Sequence, residues 1–351
     1  MNEPIRVGLI GYGFAGRTFH APVITCVPDL KLAAVVERRT AASKERYPWV
    51  KVVPDVRHLY EDDAIDLVVV TTPSTDHYPF VKDALLAGKH VVVEKPFTTT
   101  SAEADELIAL AKEQGKVLSV FHNRRWDGDF LTIRELLKQE LLGRVTECEF
   151  RWNRYNPIAA AGRWRNSEAP GAGVFYDLGV HFLDQALCLF GLPQTIRADI
   201  RIQREGSLAD DYFDVTLGCE SGLKVNLQSS QLVREPSPRY ALHGTKGSFV
   251  KYGIDPQEEA LKRGLTPAAP GWGMEPAELW AKLNTSIGGL HVEGRMETLP
   301  GSYTSYYQNI ADHIRGIAEL EVKPEQARSA IRLIELALQS SREQRTMQVE
   351  L

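Results

Sequence analysis

The run IRVGLIGYGFAG, residues 5–16, constrains this chain more than any other stretch of it. Apart from Arg6, its first six residues are apolar, the pattern of a strand buried on both faces. Gly11, Gly13 and Gly16 then follow at once as G-x-G-x-x-G. Many loops carry that spacing by chance, but a strand before it and a helix pattern after it make it a dinucleotide signal. The first glycine permits the tight turn, the second lets a pyrophosphate approach the backbone, and the third lets helix pack on strand. The helix N-terminus adds N–H groups that face the anion. Gly11, Gly13, Phe14, Ala15 and Gly16 are therefore the candidate pyrophosphate-binding residues.

Four more runs, KLAAVVE, DLVVVTT, HVVVEKP and KVLSVFH, repeat the buried-strand pattern before residue 122. Between two pairs of them lie helix signals. PFVKDALLAGK has Pro79 near its start and Gly88 past its end. TSAEADELIALAKEQGK opens with a capping box, Thr100 to Glu103, and stops at Gly115. Alternating strands and helices predict an α/β fold, a doubly wound parallel sheet over residues 1–121. Residues 122–351 read differently. DFLTIRELLKQELLG is helical, and RVTECEFRWN, TIRADIRIQ, DYFDVTLGC, GLKVNLQSSQLV and RYALHG are strand-like, with turn signals ESG and GTKGS between some of them. A second, α+β domain with a large, mostly antiparallel open sheet is expected. Residues 255–300, rich in Pro and Gly, show no clear period, and PEQARSAIRLIELALQSSREQR closes the chain as an amphipathic helix.

Side chains at the ends of these runs suggest chemistry. Glu37 ends the second run, about twenty residues past the glycines, where an acid grips the adenosine ribose hydroxyls and repels a 2′-phosphate. That favours NAD(H). Arg38 and Arg39 follow directly and keep NADP(H) open, because arginine is the usual partner of that phosphate. Glu94 and Lys95 end the fourth run, at the carboxyl edge where open sheets bind ligands, and Pro96 biases Lys95 towards extended backbone. The segment from Gly171 to Gly191 reads as a helix with Asp177, His181 and Asp184 at spacings of four and three, on one face. A carboxylate beside an imidazole fixes its tautomer and raises its basicity, as a general base requires.

Composition excludes several classes. A formal net charge of −5 with no basic stripe argues against nucleic acid and acidic membranes. The four cysteines, Cys26, Cys148, Cys188 and Cys219, show no metal-ligand or disulfide spacing. Neither a signal peptide nor a bilayer-length apolar segment is apparent, so a cytoplasmic protein is expected.

Taken together, GYGFAG, TTPSTDHYP, AGKHVVVEKPFT, FHNRRWDGDF and GAGVFYDLGVHFLDQALCLFG resemble the glucose–fructose oxidoreductase/inositol dehydrogenase family over nearly the whole chain. FHNRRWD, RWR and HGTKGSFVKYGIDPQEE look most like its bacterial scyllo-inositol dehydrogenase branch. The resemblance implies a hydride transfer between nicotinamide and a secondary hydroxyl of a cyclitol or sugar. It makes Lys95, Asp177 and His181 catalytic, with Lys95 on the reacting hydroxyl, His181 as acid/base and Asp177 positioning it. Thr72 and Pro73 match its loop beside the ribose and nicotinamide, whereas His77 there reads as structural. It matches Arg124, Arg125 and Trp126 to a strand end that borders the sugar pocket, and because side chains alternate along a strand only one arginine is expected to face the cavity, Arg125 rather than Arg124. Trp164, between Arg163 and Arg165, is expected to offer an aromatic face to a sugar ring, with Tyr306 a weaker candidate. The resemblance also implies a homodimer or higher homo-oligomer, and no metal is expected. Departing from that branch as the resemblance describes it, VVERRT stands where small hydroxyl residues and NADP use are expected. Two other readings of the same family are a sugar-active enzyme with tightly bound NAD as transient redox carrier, and a non-catalytic dinucleotide-binding regulator.

Overall fold

The computed structural model describes residues 3–159 and 166–350. Trp164 lies outside the described residues. The chain divides into two compact units, neither contiguous. The first comprises Met1–Trp126, Pro256–Gly273 and Ser302–Arg328, and the second Asp127–Asp255, Met274–Gly301 and Ser329–Leu351.

In the first unit six parallel strands form one sheet: β1 Ile5–Ile10, β2 Leu30–Val36, β3 Lys51–Val53, β4 Leu67–Val70, β5 His90–Val93 and β6 Leu118–Val120. Their order is β3-β2-β1-β4-β5-β6, so the sheet reverses direction of growth between β1 and β4. That reversal is where open α/β sheets bind ligands, at the carboxyl ends of the strands. Val68 to Val70 and Val91 to Val93 have no exposed surface, as the unalternating runs require. Each such valine contributes roughly 1.5–3 kcal/mol by leaving water. β3 is a short strand that the apolar runs did not announce. Helices His77–Leu86 and Ser101–Glu113 connect the later strands. The expected capping box is formed: Thr100 Oγ1 accepts the Glu103 N–H at 3.3 Å, and Glu103 Oε2 accepts the Thr100 N–H at 3.2 Å.

A helix from late in the chain, Tyr303–Ile314, completes this unit. Tyr303, Tyr306 and Tyr307 on it are fully buried. Tyr306 meets Phe121 and Tyr307 edge-on at ring separations of 4.9 Å and 5.2 Å. Such aromatic pairs add about 0.5–1.5 kcal/mol beyond their area.

The second unit is built on nine strands: β7 Val145–Arg151, β8 Thr195–Arg201, β9 Tyr212–Gly218, β10 Lys224–Ser230, β11 Tyr240–Gly244, β12 Gly247–Lys251, β13 Ala281–Ile287, β14 Leu290–Met296 and β15 Met347–Gln348. Their order is β14-β13-β12-β11-β7-β10-β9-β8-β15, and only the β7–β10 pair is parallel. Along β9, buried Phe213, Val215 and Leu217 alternate with Tyr212, Asp214 and Thr216, the signature of a half-covered sheet. Phe182, from the helix Val180–Phe190, packs on Phe150 and Phe213 of the covered face. In the same unit the part of the helix Pro324–Glu343 from Ser329 onward is tied on by the Ser340 and Ser341 hydroxyls, which accept the N–H groups of Ala198 and Ile200 at 3.0 Å and 2.9 Å. Among the described residues no helix is long and apolar enough to cross a membrane.

Candidate functional site

The glycine turn after β1 has the geometry its spacing requires. Gly11 adopts φ +95°, open to glycine and strained for other residues. A methyl on Gly13 would meet no atom of the described residues within 4 Å, which leaves space above that backbone for a ligand. One on Gly16 would stand 2.3 Å from the Gly11 carbonyl oxygen. The helix starts with the Arg17 N–H bonded to Gly13 O at 3.0 Å, winds through wide π turns at Gly16–His20 and continues as Ala21–Ile24. The amides of Phe14, Ala15 and Gly16 thus belong to the first turn, whose N–H groups a helix cannot pair with itself. Exposed Phe14 leans edge-on against Phe19 at 5.6 Å. Thr71, at the end of β4, donates its hydroxyl to Ile10 O at 2.9 Å and Gly11 O at 3.0 Å, tying the turn to the neighbouring strand. Gly16→Ala is expected to weaken dinucleotide binding ~100-fold, since the obstructing atom is backbone and overpacking costs about 1–3 kcal/mol. Titration of intrinsic fluorescence with NADPH and with NADH measures it.

Beside this turn lies a cavity of about 700 Å³, within the range of small-molecule sites. The ends of β1, β2 and β4 line it, through Gly11 to Gly13, Val36 to Thr40 and Thr71 to Pro73. Glu37 reaches the cavity wall, yet its carboxylate is turned onto its own loop. Oε2 accepts the Thr40 hydroxyl at 2.5 Å and the Ala42 N–H at 2.8 Å, and Oε1 accepts the Ser43 N–H at 2.9 Å. Burial opposes ionisation there, but Ser43, Thr40 and the Ala42 amide outweigh it and hold the carboxyl below its usual range. Arg38 and Arg39 are exposed on the same wall. Asp55, also on it, is clasped by Arg57 at 3.0 Å and 2.9 Å. The buried hydroxyl of Thr72 has no hydrogen-bond partner among the described residues, so a polar ligand group there would satisfy it. Open space over Gly13, first-turn amides and this hydroxyl fit a dinucleotide.

At the end of β5 Lys95 is half-buried and joined to Pro96 by a cis peptide bond. Its N–H donates to Glu94 Oε2 at 3.0 Å. The other Glu94 oxygen, Oε1, is 2.8 Å from Nε2 of buried His20. Glu94 is thereby engaged within the protein on both oxygens. His77 bridges the two loops that end β4 and β5, with Nε2 3.0 Å from Thr72 O and Nδ1 2.8 Å from Pro96 O. Burial lowers the His77 pKa, although both ring nitrogens meet carbonyls, contacts that favour the charged ring. A neutral ring can donate to only one of them.

In the second unit Asp177 and His181 stand where a regular helix was expected to begin earlier. Phe175–Gly179 forms a wide π turn, and the α-helix starts only at Val180. The four-residue spacing therefore crosses a junction, and it does not carry the angular meaning of an unbroken α-helix. His181 and Asp184 are buried, while Asp177 is half-buried. Three groups shape this turn. Gly179 leaves room for the Phe175 ring, 2.3 Å from where a methyl would sit. Gly173, at φ +97°, lets Asp210 close in. Asp210 then accepts the Phe175 N–H on Oδ1 at 2.6 Å and the Val174 N–H on its main-chain oxygen at 2.9 Å.

Burial pushes the Asp210 carboxyl up to about 7, against the Phe175 hydrogen bond, and Asp211 beside it adds to the rise. A folded-state pKa above the unfolded value of 3.8 gives stability that is present below pH ~4 and lost as pH rises through about 7. Asp210→Asn removes this loss, on the order of 2–4 kcal/mol. The melting temperature of the wild type minus that of the variant is expected to fall between pH 5 and pH 8.

The segment holding Arg124 and Arg125 is a 3₁₀ turn, Asn123–Trp126, so the strand alternation used to choose between them does not apply. Both side chains are buried in the first unit. Arg124 Nη2 lies 2.5 Å from Glu258 Oε2. Burial opposes ionisation of Glu258, but Arg124 and Lys262 bring its carboxyl down to about 2. Arg125 Nη1 donates to Glu321 O at 2.8 Å and Gln326 Oε1 at 3.0 Å. Tyr306 donates its buried hydroxyl to Ser119 Oγ at 3.1 Å.

With this geometry in hand, comparison with known proteins is decisive on family. Residues 5–122 match the oxidoreductase family's NAD-binding Rossmann fold, and residues 134–351 match its C-terminal alpha/beta domain. The chain belongs to the Gfo/Idh/MocA oxidoreductase family. It is 45% identical to the uncharacterised oxidoreductase YdgJ of Escherichia coli (strain K12), over 99% of both chains. It is 42% identical to the scyllo-inositol 2-dehydrogenase (NADP(+)) IolW of Bacillus subtilis (strain 168), over 99% of this chain and 97% of that one. The solved structure of the oxidoreductase yvaA from Bacillus subtilis superposes with a TM-score of 0.96 at 41% identity, covering 99% of each chain. This Gfo/Idh/MocA oxidoreductase is thus an NAD(P)-binding enzyme of a family whose two domains it carries in full sequence order.

Proposed function

We propose that this oxidoreductase uses NADP(H) to interconvert a secondary hydroxyl and a ketone on a cyclitol or sugar of the scyllo-inositol type. The substrate class rests on the full-length likeness to the Bacillus subtilis scyllo-inositol 2-dehydrogenase. The cofactor choice rests on the Glu37 carboxylate. Its two oxygens accept three hydrogen bonds from residues 40–43, while Arg38 and Arg39 stand exposed on the cavity wall. An acid held in this way is not available to grip a ribose diol, and two guanidinium groups suit a 2′-phosphate.

Gly11, Gly13, Phe14, Ala15 and Gly16 would hold the pyrophosphate, Arg38 with Arg39 the 2′-phosphate, and Thr72 with Pro73 the nicotinamide half. The bound nicotinamide supplies or accepts the hydride. Lys95 donates a hydrogen bond to the reacting oxygen and stabilises negative charge as it develops there. His181 takes the hydroxyl proton in the oxidative direction and returns it in the reductive one, with Asp177 positioning the ring. Arg125 and Trp164 contribute to substrate binding in the same reading, and the protein acts as a homo-oligomer, which sedimentation equilibrium measures.

Absorbance of reduced nicotinamide, followed with NADP and NAD in parallel on scyllo-inositol, myo-inositol, glucose and xylose, tests the proposal. Turnover of an inositol with NADP preferred is the expected result. Turnover of an aldose alone would discard the cyclitol, and silence with nucleotide retained through purification would favour a redox-carrier enzyme or a regulator.

A further inference from the structure

His20 was not singled out by the glycine motif, yet it is the last residue of the wide turn that the motif begins. Its side chain has no exposed surface. Nε2 lies 2.8 Å from Glu94 Oε1, and Nδ1 lies 2.5 Å from the Tyr307 hydroxyl. The Phe121 ring packs on the imidazole at 4.2 Å. Glu94 Oε2 in turn accepts the main-chain N–H of Lys95 at 3.0 Å. A continuous hydrogen-bonded chain therefore runs Tyr307, His20, Glu94, Lys95, entirely within the first unit.

We propose that His20 is a positioning residue for Lys95, acting through the Glu94 carboxylate. The inference rests on the reading that Lys95 serves the reaction.

The titratable groups facing Glu94 are His20, Lys95 and His77, with the hydroxyls of Tyr306 and Tyr307 nearby. Burial opposes ionisation of this carboxyl, but the hydrogen bond from His20 and the charge of Lys95 outweigh it and hold it below its usual range. A carboxylate can only accept, so the hydrogen between the two groups sits on Nε2. In the neutral ring Nδ1 then accepts, and Tyr307, whose hydroxyl burial keeps protonated, is the donor. The tautomer and the ring plane are thus fixed from both sides. Each Glu94 oxygen has one task, Oε1 on His20 and Oε2 on the amide that begins the Lys95–Pro96 turn. Removing the imidazole leaves a buried carboxylate without its donor, which favours protonation or rotation of the acid. Either change loosens the amide of Lys95. A misplacement of about 1 Å at a reacting group costs ~10²-fold in rate.

The test compares wild type with His20→Ala, His20→Gln and Tyr307→Phe. Glutamine can place an amide N–H where Nε2 stood, so it restores the Glu94 bond without the ring. For His20→Ala we expect kcat on the preferred polyol to fall 30- to 100-fold, with KM and the NADPH dissociation constant within threefold of wild type. His20→Gln should recover at least tenfold of that loss, and Tyr307→Phe should lose no more than about fivefold. A second readout needs no substrate: the rate of reductive methylation at Lys95 with ¹³C-formaldehyde at fixed pH. It should change at least threefold in His20→Ala and return to the wild-type rate in His20→Gln. A folded His20→Ala with kcat and labelling rate within twofold of wild type would overturn the proposal. So would equal losses in the alanine and glutamine variants that track dinucleotide binding and melting temperature, since that is a purely structural role. If wild type turned over no polyol, the functional reading would fail, and the labelling rates would still decide for or against His20.

Discussion

Lys95→Met is expected to lower kcat by ~10³-fold or more while leaving the dinucleotide dissociation constant within threefold. Methionine keeps the length and most of the apolar stem, so packing against the end of β5 changes little. What disappears, on the proposed role, is one cationic donor at the oxygen that gains charge. Removing a single donor of this kind costs about 10²–10³ in kcat, and proton transfer by a positioned group contributes about 10²–10⁴. Binding should be spared, because the glycine turn and the cavity beside β1 lie on other strands of the sheet. Steady-state rates with the preferred polyol, together with fluorescence titration by NADPH, separate the two quantities. A variant that kept a tenth of the wild-type kcat would remove Lys95 from the chemistry. A variant that lost NADPH affinity in proportion to rate would make it a cofactor ligand.

The position of Lys95 could be read from the sequence because the features that place it are local. An unalternating apolar run fixes a strand buried on both faces, and the run's last residue fixes which edge of the sheet the lysine occupies. The same logic made the glycine turn and the capping box at Thr100 legible. β3 escaped because three residues, of which only Val53 is buried, carry no measurable period. The hairpin β13–β14 escaped for another reason. Gly288 and Gly289, both at positive φ, are a strong two-residue hairpin signal, and LHVEGRM after them alternates apolar or small with polar residues, but the hairpin lies within the Pro- and Gly-rich residues 255–300, and β14 is exposed from Leu290 to Arg295. Two late segments, Pro256–Gly273 and Ser302–Arg328, rejoin the first unit through contacts remote in sequence, such as Tyr307 with His20 and Glu258 with Arg124. No local pattern encodes such pairings. The wide turn at Phe175–Gly179 was hidden too, since Gly173 and Gly179 permit it only through what packs against them, Asp210 and the Phe175 ring.

Glu37 shows the sharper boundary between what a sequence can place and what it cannot. Position and residue type follow from counting; the direction of the carboxylate depends on Thr40, Ala42 and Ser43 offering three donors within one loop. The consequence is a prediction on cofactor choice. Replacing Arg38 and Arg39 together by alanine is expected to reduce kcat/KM for NADP about 100-fold, with kcat/KM for NAD within threefold of wild type. Charge-assisted hydrogen bonds contribute about 1.5–3 kcal/mol each, and exposure places this pair at the low end, near 3 kcal/mol in sum. The loss should also shrink as salt is raised, because screening weakens the wild-type contact that the variant lacks. Glu37→Gln discriminates between the two roles open to that acid. If Glu37 organises its loop, the amide disturbs Thr40 to Ser43 and weakens NADP and NAD alike. If Glu37 instead holds a ribose diol, NAD alone suffers, the arginine pair has little effect, and the cofactor of this enzyme is NAD.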